Sequence, residues 1–328
     1  QTFRRDNSSE NNCRRYEFVS KKQFFDFYIG QGTSFTPTST IYLKNNFYVF
    51  IVKSVDLKHD ILYFHLSVCD LQNKKCPNKG QCVPLGKYQF TMTIDNQIGI
   101  LNYKNSKISG ERDFLEKYLP KNHGVLVDVG ANQGNYSLEA LEICPNIKIF
   151  AFEPHPITFD SLGKKIKNFY NITVVKKGLS SVNGVSKIYD YPSSDGSSHA
   201  SLFRDVITEI HGASSAVSHD VELMTLDKFI ESENIKEIDL LKIDAEGNEL
   251  EILRGGVNAI KSGKIKAIHF EFNEMNVSSR AFFRDFWKLL SGYRFYRLLP
   301  SDMLELKAYN PLQCEIFAYQ NIVAVLKD

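Results

Sequence analysis

The feature that most restricts this chain is a regular alternation of short apolar runs with amphipathic ones from Val125 onward. VLVDVG (125–130) leads to NYSLEALEIC (135–144), IKIFAFEP (147–154) to PITFDSLGKKIKNF (156–169), and ITVVKKG (172–178) follows. After a polar, loop-rich insertion at 191–216 the pattern resumes with IDLLKID (238–244), NELEILRGGVNAI (248–260), KAIHFEF (266–272) and SRAFFRDFWKLL (279–290). Continuous apolar runs of this length suit strands buried on both faces, and the segments between them carry apolar residues at helical spacing. The pattern predicts an α/β fold with a parallel sheet covered on both sides. YRFYRLL (293–299), CEIFAY (314–319) and NIVAVLK (321–327) follow without a helix between them, which predicts an antiparallel strand pair closing the sheet.

Upstream the chain changes character. Residues 1–23 are polar and basic without periodicity and read as a stem or tail. Residues 24–108 read as a small β-rich unit. Its aromatic and β-branched runs are IYLKNNFYVFIV, ILYFHLSV, YQFTMTI and IGILNY, separated by turn residues, and they predict an antiparallel sheet. SGERDFLEKYLP (109–120) reads as a helix capped by Ser109, with Phe114, Leu115, Tyr118 and Leu119 on one face, and opens a domain spanning 109–328.

Four short segments carry chemistry. Asp128-Val-Gly130-Ala-Asn132-Gln-Gly134 joins a buried strand to a helix, where open parallel sheets bind ligands. Gly130 and Gly134 let backbone approach a ligand, and Asp128 offers an acceptor for an ammonium group. A dinucleotide fingerprint wants G-x-G-x-x-G, and here only the first glycine matches, which argues against a nicotinamide-dependent oxidoreductase. Glu153, in Phe-Glu-Pro at the next strand end, is placed to take both hydroxyls of a ribose. In LLKIDAEGNE (240–249), Lys242 and Asp244 alternate onto one face of a central strand, where charge is costly unless paired or at a ligand edge. His269-Phe-Glu271 ends the following strand and brings Glu271 beside Asp244, while His269 is expected to be packed or solvated rather than catalytic.

Together these segments resemble the FkbM family of methyltransferases over residues 109–328, through DVGANQG, FEP, LLKIDAEGNELEILRGG and the closing GYRFYRL and NIVAV. The resemblance implies a Rossmann-like, seven-stranded methyltransferase sheet, S-adenosylmethionine as methyl donor, and transfer to an oxygen, often a sugar hydroxyl. Asp128, Gly130, Asn132, Gly134 and Glu153 would bind the donor, and Asp244, Glu271 and Lys242 would form the catalytic set. A neighbouring carboxylate accepts the hydroxyl proton in such a reaction, Asp244 first and Glu271 second. Alternatively, Asp244, Glu246 and Glu271 hold Mg²⁺ to lower the hydroxyl pKa. The insertion, with Tyr191, His199 and Phe203, would frame a sugar or glycan acceptor. A non-catalytic glycan-binding protein on the same fold is the other reading, and the intact motifs count against it.

Charge narrows the partners further. A net charge of +2 over 328 residues gives no footprint for nucleic acid, and no apolar run reaches the roughly 18 residues of a membrane helix. The chain opens on Gln1 rather than Met, as a processed chain does, so the lack of an apolar leader excludes nothing. Cys69, Cys76 and Cys82 lack the paired spacing of a zinc site and sit among turns. With Asn-x-Ser/Thr sequons at Asn7, Asn135, Asn171 and Asn276, they tilt the expectation toward disulfides and the secretory pathway over the cytoplasm. A glycan on Asn135 would block the glycine loop, so that sequon is expected to stay unused.

Overall fold

The computed structural model describes residues 99–327 throughout and, before them, the backbone of four short strands. The chain divides into two compact units, Gln1–Thr93 and Ile94–Asp328. In the first, β1 (Arg14–Phe18), β2 (Ser39–Leu43), β3 (Val49–Ile51) and β4 (His65–Leu66) form one sheet in that order. The β2–β3 and β3–β4 pairs are antiparallel as the sequence suggests. The β1–β2 pair is parallel, and β1 lies within the stretch read as a stem. The run YQFTMTI, the sequon at Asn7, and Cys13, Cys69, Cys76 and Cys82 lie outside the described residues.

The second unit takes in residues upstream of Ser109 as well. In the run IGILNY, residues 99–103 make a turn, a bend and irregular chain rather than a strand. Gly99 and Leu101 both have positive φ, which no strand accommodates. Ser109 ends a short helix, Ser106–Ser109, instead of capping the next. Gly110, at φ 85°, turns the chain into the helix Glu111–Tyr118, and Ser109 Oγ donates to Glu111 Oε2 at 2.8 Å.

The main sheet contains β5 (Gly124–Val129), β6 (Ile147–Phe152), β7 (Ile172–Val175), β11 (Ile238–Ile243), β12 (Ile265–Phe272), β13 (Tyr293–Leu299), β14 (Asp302–Leu306) and β15 (Gln320–Leu326). Their spatial order is β14-β13-β15-β12-β11-β5-β6-β7. The pairs linking β12, β11, β5, β6 and β7 are all parallel, and β15 runs antiparallel between β12 and β13. The seven-stranded Rossmann-like sheet is thus present, and β14 extends it by an antiparallel edge hairpin. CEIFAY is not a strand: residues 311–314 form a short helix, and the chain then runs irregularly into β15.

Alternate residues feed two cores, one on each face. Val127, Val129, Phe150, Phe152, Leu241, Ile243 and Phe270 pack one way, and Leu126, Ile149, Ala151, Leu240 and Ala267 the other. NELEILRGGVNAI forms two helices rather than one, Glu249–Arg254 and Val257–Lys261. They part at Gly255, where a Cβ would stand 2.1 Å from Ser180 O. SRAFFRDFWKLL also divides, with one helix ending at Ser279 and the next spanning Phe283–Leu289.

A smaller sheet of β8 (Gly178–Leu179), β9 (Gly184–Asp190) and β10 (Val217–Met224), in the order β8-β10-β9, flanks the main one. Since β9 and β10 are antiparallel partners, the insertion 191–216 is the connection across their open end. It is a folded segment, with a bridge between Tyr189 and Ser201 and a π-helical turn at Val206–Ile210.

Candidate active site

The chain order puts β6 and β7 on one side of β5, and β11 and β12 on the other. Strand order therefore reverses between β5 and β11, and the crevice beyond their carboxyl ends is where such sheets bind ligands. Two loops cross there. Gly130, at φ 79°, passes so close to β11's end that a Cβ would lie 1.7 Å from Asp244 O. Asp244 N in turn donates to Val129 O at 2.9 Å. Glycine at 130 is needed for both the left-handed turn and this approach.

Each loop is folded around a carboxylate. Glu153, at the end of β6, accepts Asn132 N and His155 N, both at 2.9 Å. Asn132 is left-handed at φ 47°, a conformation asparagine tolerates. Burial pushes the Glu153 carboxyl up to about 7, against the pull of those two donors. In the second loop, Glu249 Oε1 accepts Ala245 N and Gly247 N at 3.0 and 3.1 Å. Asp128 lies beneath the first loop and accepts Ser137 Oγ at 2.6 Å; its burial raises it to about 6. Gly134, at φ 70°, begins the helix Asn135–Ile143 against Leu162.

Two adjoining spaces share Gly130, Asn132, Ser198 and Asp244. The inner one is walled by Glu153, Pro154, Gly178, Leu179, Ala245 and Ile252, with Ser197, Ser198, Ala200 and Leu202 of the insertion also lining it. Ser201 Oγ donates to Glu246 O at 2.7 Å, which ties the insertion to the second loop. The outer one is an open cleft of about 500 Å³ lined by Glu111, Asp128, Tyr136, Glu139, Lys242 and Asp244.

Lys242 and Asp244 do share a face. Lys242 Nζ lies 3.4 Å from Asp244 Oδ2 and 5.6 Å from the Tyr136 ring centroid, and makes no hydrogen bond. Burial alone would lower the ammonium, but Asp244, Glu271, Glu111 and Asp128 surround it and raise it overall. Lys242 therefore keeps its proton and supplies fixed positive charge. The register Ile243↔Phe270 sets Asp244 level with Glu271. Glu271 is buried and is held well above the usual carboxylate range, by desolvation first and Asp244 second. Asp244, with a side chain 39% exposed, is the carboxylate of this pair that opens to the cleft.

Glu246 has φ 48° and a buried Oε2 without a partner, and burial raises its carboxyl strongly. Asp244, Glu246 and Glu271 do not bring three ligand atoms together. Among the described residues the one group that does is His155, Asp195 and His219. His269 is fully buried, with Nε2 at 2.9 Å from Asn321 Oδ1 and Nδ1 at 3.0 Å from Tyr136 OH, and burial holds it neutral. It packs, as expected.

Sequence reasoning missed Glu111 and Tyr136 as cleft residues. Glu111 sits in the first turn of its helix, where an acid is favoured at any N-terminus, so no local signal distinguished it. The insertion lies partly over the inner space as well as the outer. The described cysteines, Cys144 and Cys314, are free and buried, so no disulfide occurs among the described residues. Asn135 lines the outer cleft and accepts Lys165 Nζ at 2.7 Å. Asn276 is fully buried against Glu249, which closes that sequon in the folded protein.

A family model described as the methyltransferase FkbM domain matches residues 128–295. Methyltransferase sdnD of Sordaria araneosa is 33% identical over 160 residues, covering 42% of this chain and 61% of that protein. Hexuronic acid methyltransferase AglP of Haloferax volcanii is 30% identical over 159 residues, 47% of this chain and 60% of that one. 2-O-methyltransferase NoeI of Sinorhizobium fredii is 23% identical over 169 residues, 48% and 67% respectively. The chain thus spans about three fifths of the length of the first two relatives.

Proposed function

The chain belongs to the FkbM methyltransferase family, and we propose that it transfers a methyl group from S-adenosylmethionine to a hydroxyl oxygen of a sugar. The observation that carries this reading is the paired space at the β5–β11 reversal. The inner half suits an adenosine: apolar walls for a base, and Glu153 with acceptor capacity left for ribose hydroxyls. Asp128 and the glycine loop border the outer half, where the amino-acid end of the donor would lie. The bound donor supplies an already activated methyl, so the protein's main contribution is orientation.

Asp244 is the proposed base. It opens to the cleft, with the positive charge of Lys242 3.4 Å from its Oδ2. Glu271 is the weaker choice because it is buried, and desolvation and the neighbouring Asp244 hold its carboxyl well above the usual carboxylate range. The sugar class of the acceptor draws on the hexuronic acid methyltransferase among the relatives, and oxygen as the target on the 2-O-methyltransferase. Secretory maturation remains a proposal resting on Cys69, Cys76 and Cys82, and thiol counting in denatured, unreduced protein from its native host tests it. Six free thiols would reject it.

Thermal shift with S-adenosylmethionine, S-adenosylhomocysteine and NAD tests the donor. The first two should stabilise the protein and NAD should not. Radiolabelled methyl transfer across a glycan array then tests the acceptor. A folded Asp244→Asn, Glu271→Gln double variant that keeps near-wild-type transfer would defeat the assignment.

A further inference from the structure

We propose that His155, Asp195 and His219 bind a divalent transition metal ion of the zinc class, which clasps the 191–216 insertion to the body of the fold. The three come from separate elements. His155 precedes the helix Pro156–Ile166, Asp195 lies in the insertion, and His219 is on β10. Their ligand atoms all fall within 4.8 Å of one another. His155 Nε2 is 3.0 Å from Asp195 Oδ1, and His219 Nε2 is 3.0 and 2.9 Å from Oδ1 and Oδ2.

Two imidazole nitrogens and a carboxylate oxygen are a donor set zinc favours. With metal–ligand bonds near 2.0–2.2 Å, tetrahedral ligands sit about 3.3 Å apart. The two His–Asp spacings need to open by only a few tenths of an ångström. His155 is 1% exposed, and burial lowers its pKa. Its other ring nitrogen, Nδ1, faces Thr158 Oγ1 at 3.5 Å. Asp195 and His219 are partly exposed, at 27% and 29%, which leaves an entry path and room for water as a further ligand.

The backbone that carries Asp195 is already set. Fully buried Asp190 accepts Gly196 N at 2.8 Å, Ser197 N at 2.7 Å and Ser197 Oγ at 2.6 Å. Its Oδ2 is also 3.8 Å from His155 Nε2, so a second carboxylate stands beside the ligand cluster. Ser197 and Ser198, just beyond Asp195, line the inner space, so a bound ion would hold that part of the insertion in place.

Metal-stripped full-length protein titrated with Zn²⁺ should take up one equivalent. Co²⁺ in its place should give the visible bands of nitrogen–oxygen ligation without the strong near-ultraviolet band of thiolates. His219→Ala and Asp195→Asn should each weaken uptake by more than the roughly 10–100-fold that loss of a supporting partner costs. Both should leave the far-ultraviolet circular dichroism of the apo protein unchanged. Zinc should also slow proteolysis within residues 191–203 of the wild type and not of His219→Ala. Absence of uptake at micromolar zinc would overturn the proposal. So would uptake that survives both substitutions or carries a thiolate band, since the ion would then sit on cysteines. None of these readouts involves methyl transfer, so failure here leaves the donor-site reading untouched.

Discussion

The two halves of the cleft meet at Gly130 and Asp244 and are built in opposite ways. The inner half is narrow, lined by Pro154, Leu179 and Ile252, and its carboxylate, Glu153, is pinned by two backbone donors. The outer half is open and charged, with one buried lysine among several carboxylates and no hydrogen bond to hold its ammonium. A pinned carboxylate between apolar walls suits holding a ligand still. A lysine whose charge is fixed beside an exposed carboxylate suits moving a proton. On the proposed function, binding and chemistry fall to different side chains, and substitutions should separate them.

The substitution that removes the distinction altogether should be the most severe. Gly130→Ala sets a methyl against Asp244 O and adds left-handed strain, a combined cost on the order of 3–5 kcal/mol. Denaturant unfolding should report it as a large drop in midpoint, together with loss of donor binding. Asp244→Asn should act on the outer half alone. Turnover should fall about 10²-fold or more while calorimetric donor affinity holds, the usual scale for loss of a general base. A parallel fall in both would mean that Asp244 binds the donor instead.

Glu153→Ala tests the inner half. Donor binding should weaken by about 1.5–3 kcal/mol, the scale of a hydrogen bond to a charged group, with turnover at saturating donor largely kept. The wild type should show the same contact through pH. The Glu153 carboxyl sits at about 7, so donor affinity should rise as pH increases through neutrality and the carboxylate forms. Its effect on folding has the other sign. A carboxyl raised above its unfolded value favours the native state fully below the ordinary carboxylate range, and that contribution is lost as pH rises through about 7. Affinity independent of pH over this range would count against Glu153 as the ribose partner. The smallest effect is expected from Ser201→Ala, which removes the bond to Glu246 O. About 0.5–1.5 kcal/mol of stability should be lost, and donor affinity should drop more than acceptor affinity if the insertion serves the inner half.

Much of this was legible in the linear chain because it depends on local spacing. Alternating runs define the parallel strands, since a strand buried on both faces has no polar side to show. Gly130 and Gly134 mark turns that other residues strain to make, and Lys242 with Asp244 fall on one face by the two-residue period alone. The errors were also physical. CEIFAY has strand composition, yet the sheet position beside β13 goes to β14, which hairpin pairing with β13 brings there first. The helix at 249–261 breaks because Ser180 O occupies the space at Gly255, a neighbour 75 positions away that no local pattern reveals.

Sequence periodicity and glycine placement were sufficient for the parallel strands, the two crossing loops and the strand-end positions of Asp128, Glu153, Lys242 and Asp244, because each follows from local spacing. Tertiary structure alone decided which carboxylates are buried and which open to the cleft. Glu271 and Asp244 look equivalent along the chain, and burial separates them, raising one and leaving the other at the open edge. It also decided where the insertion lies and that His155, Asp195 and His219 meet. Those outcomes depend on desolvation and on long-range packing, which act between residues far apart in sequence.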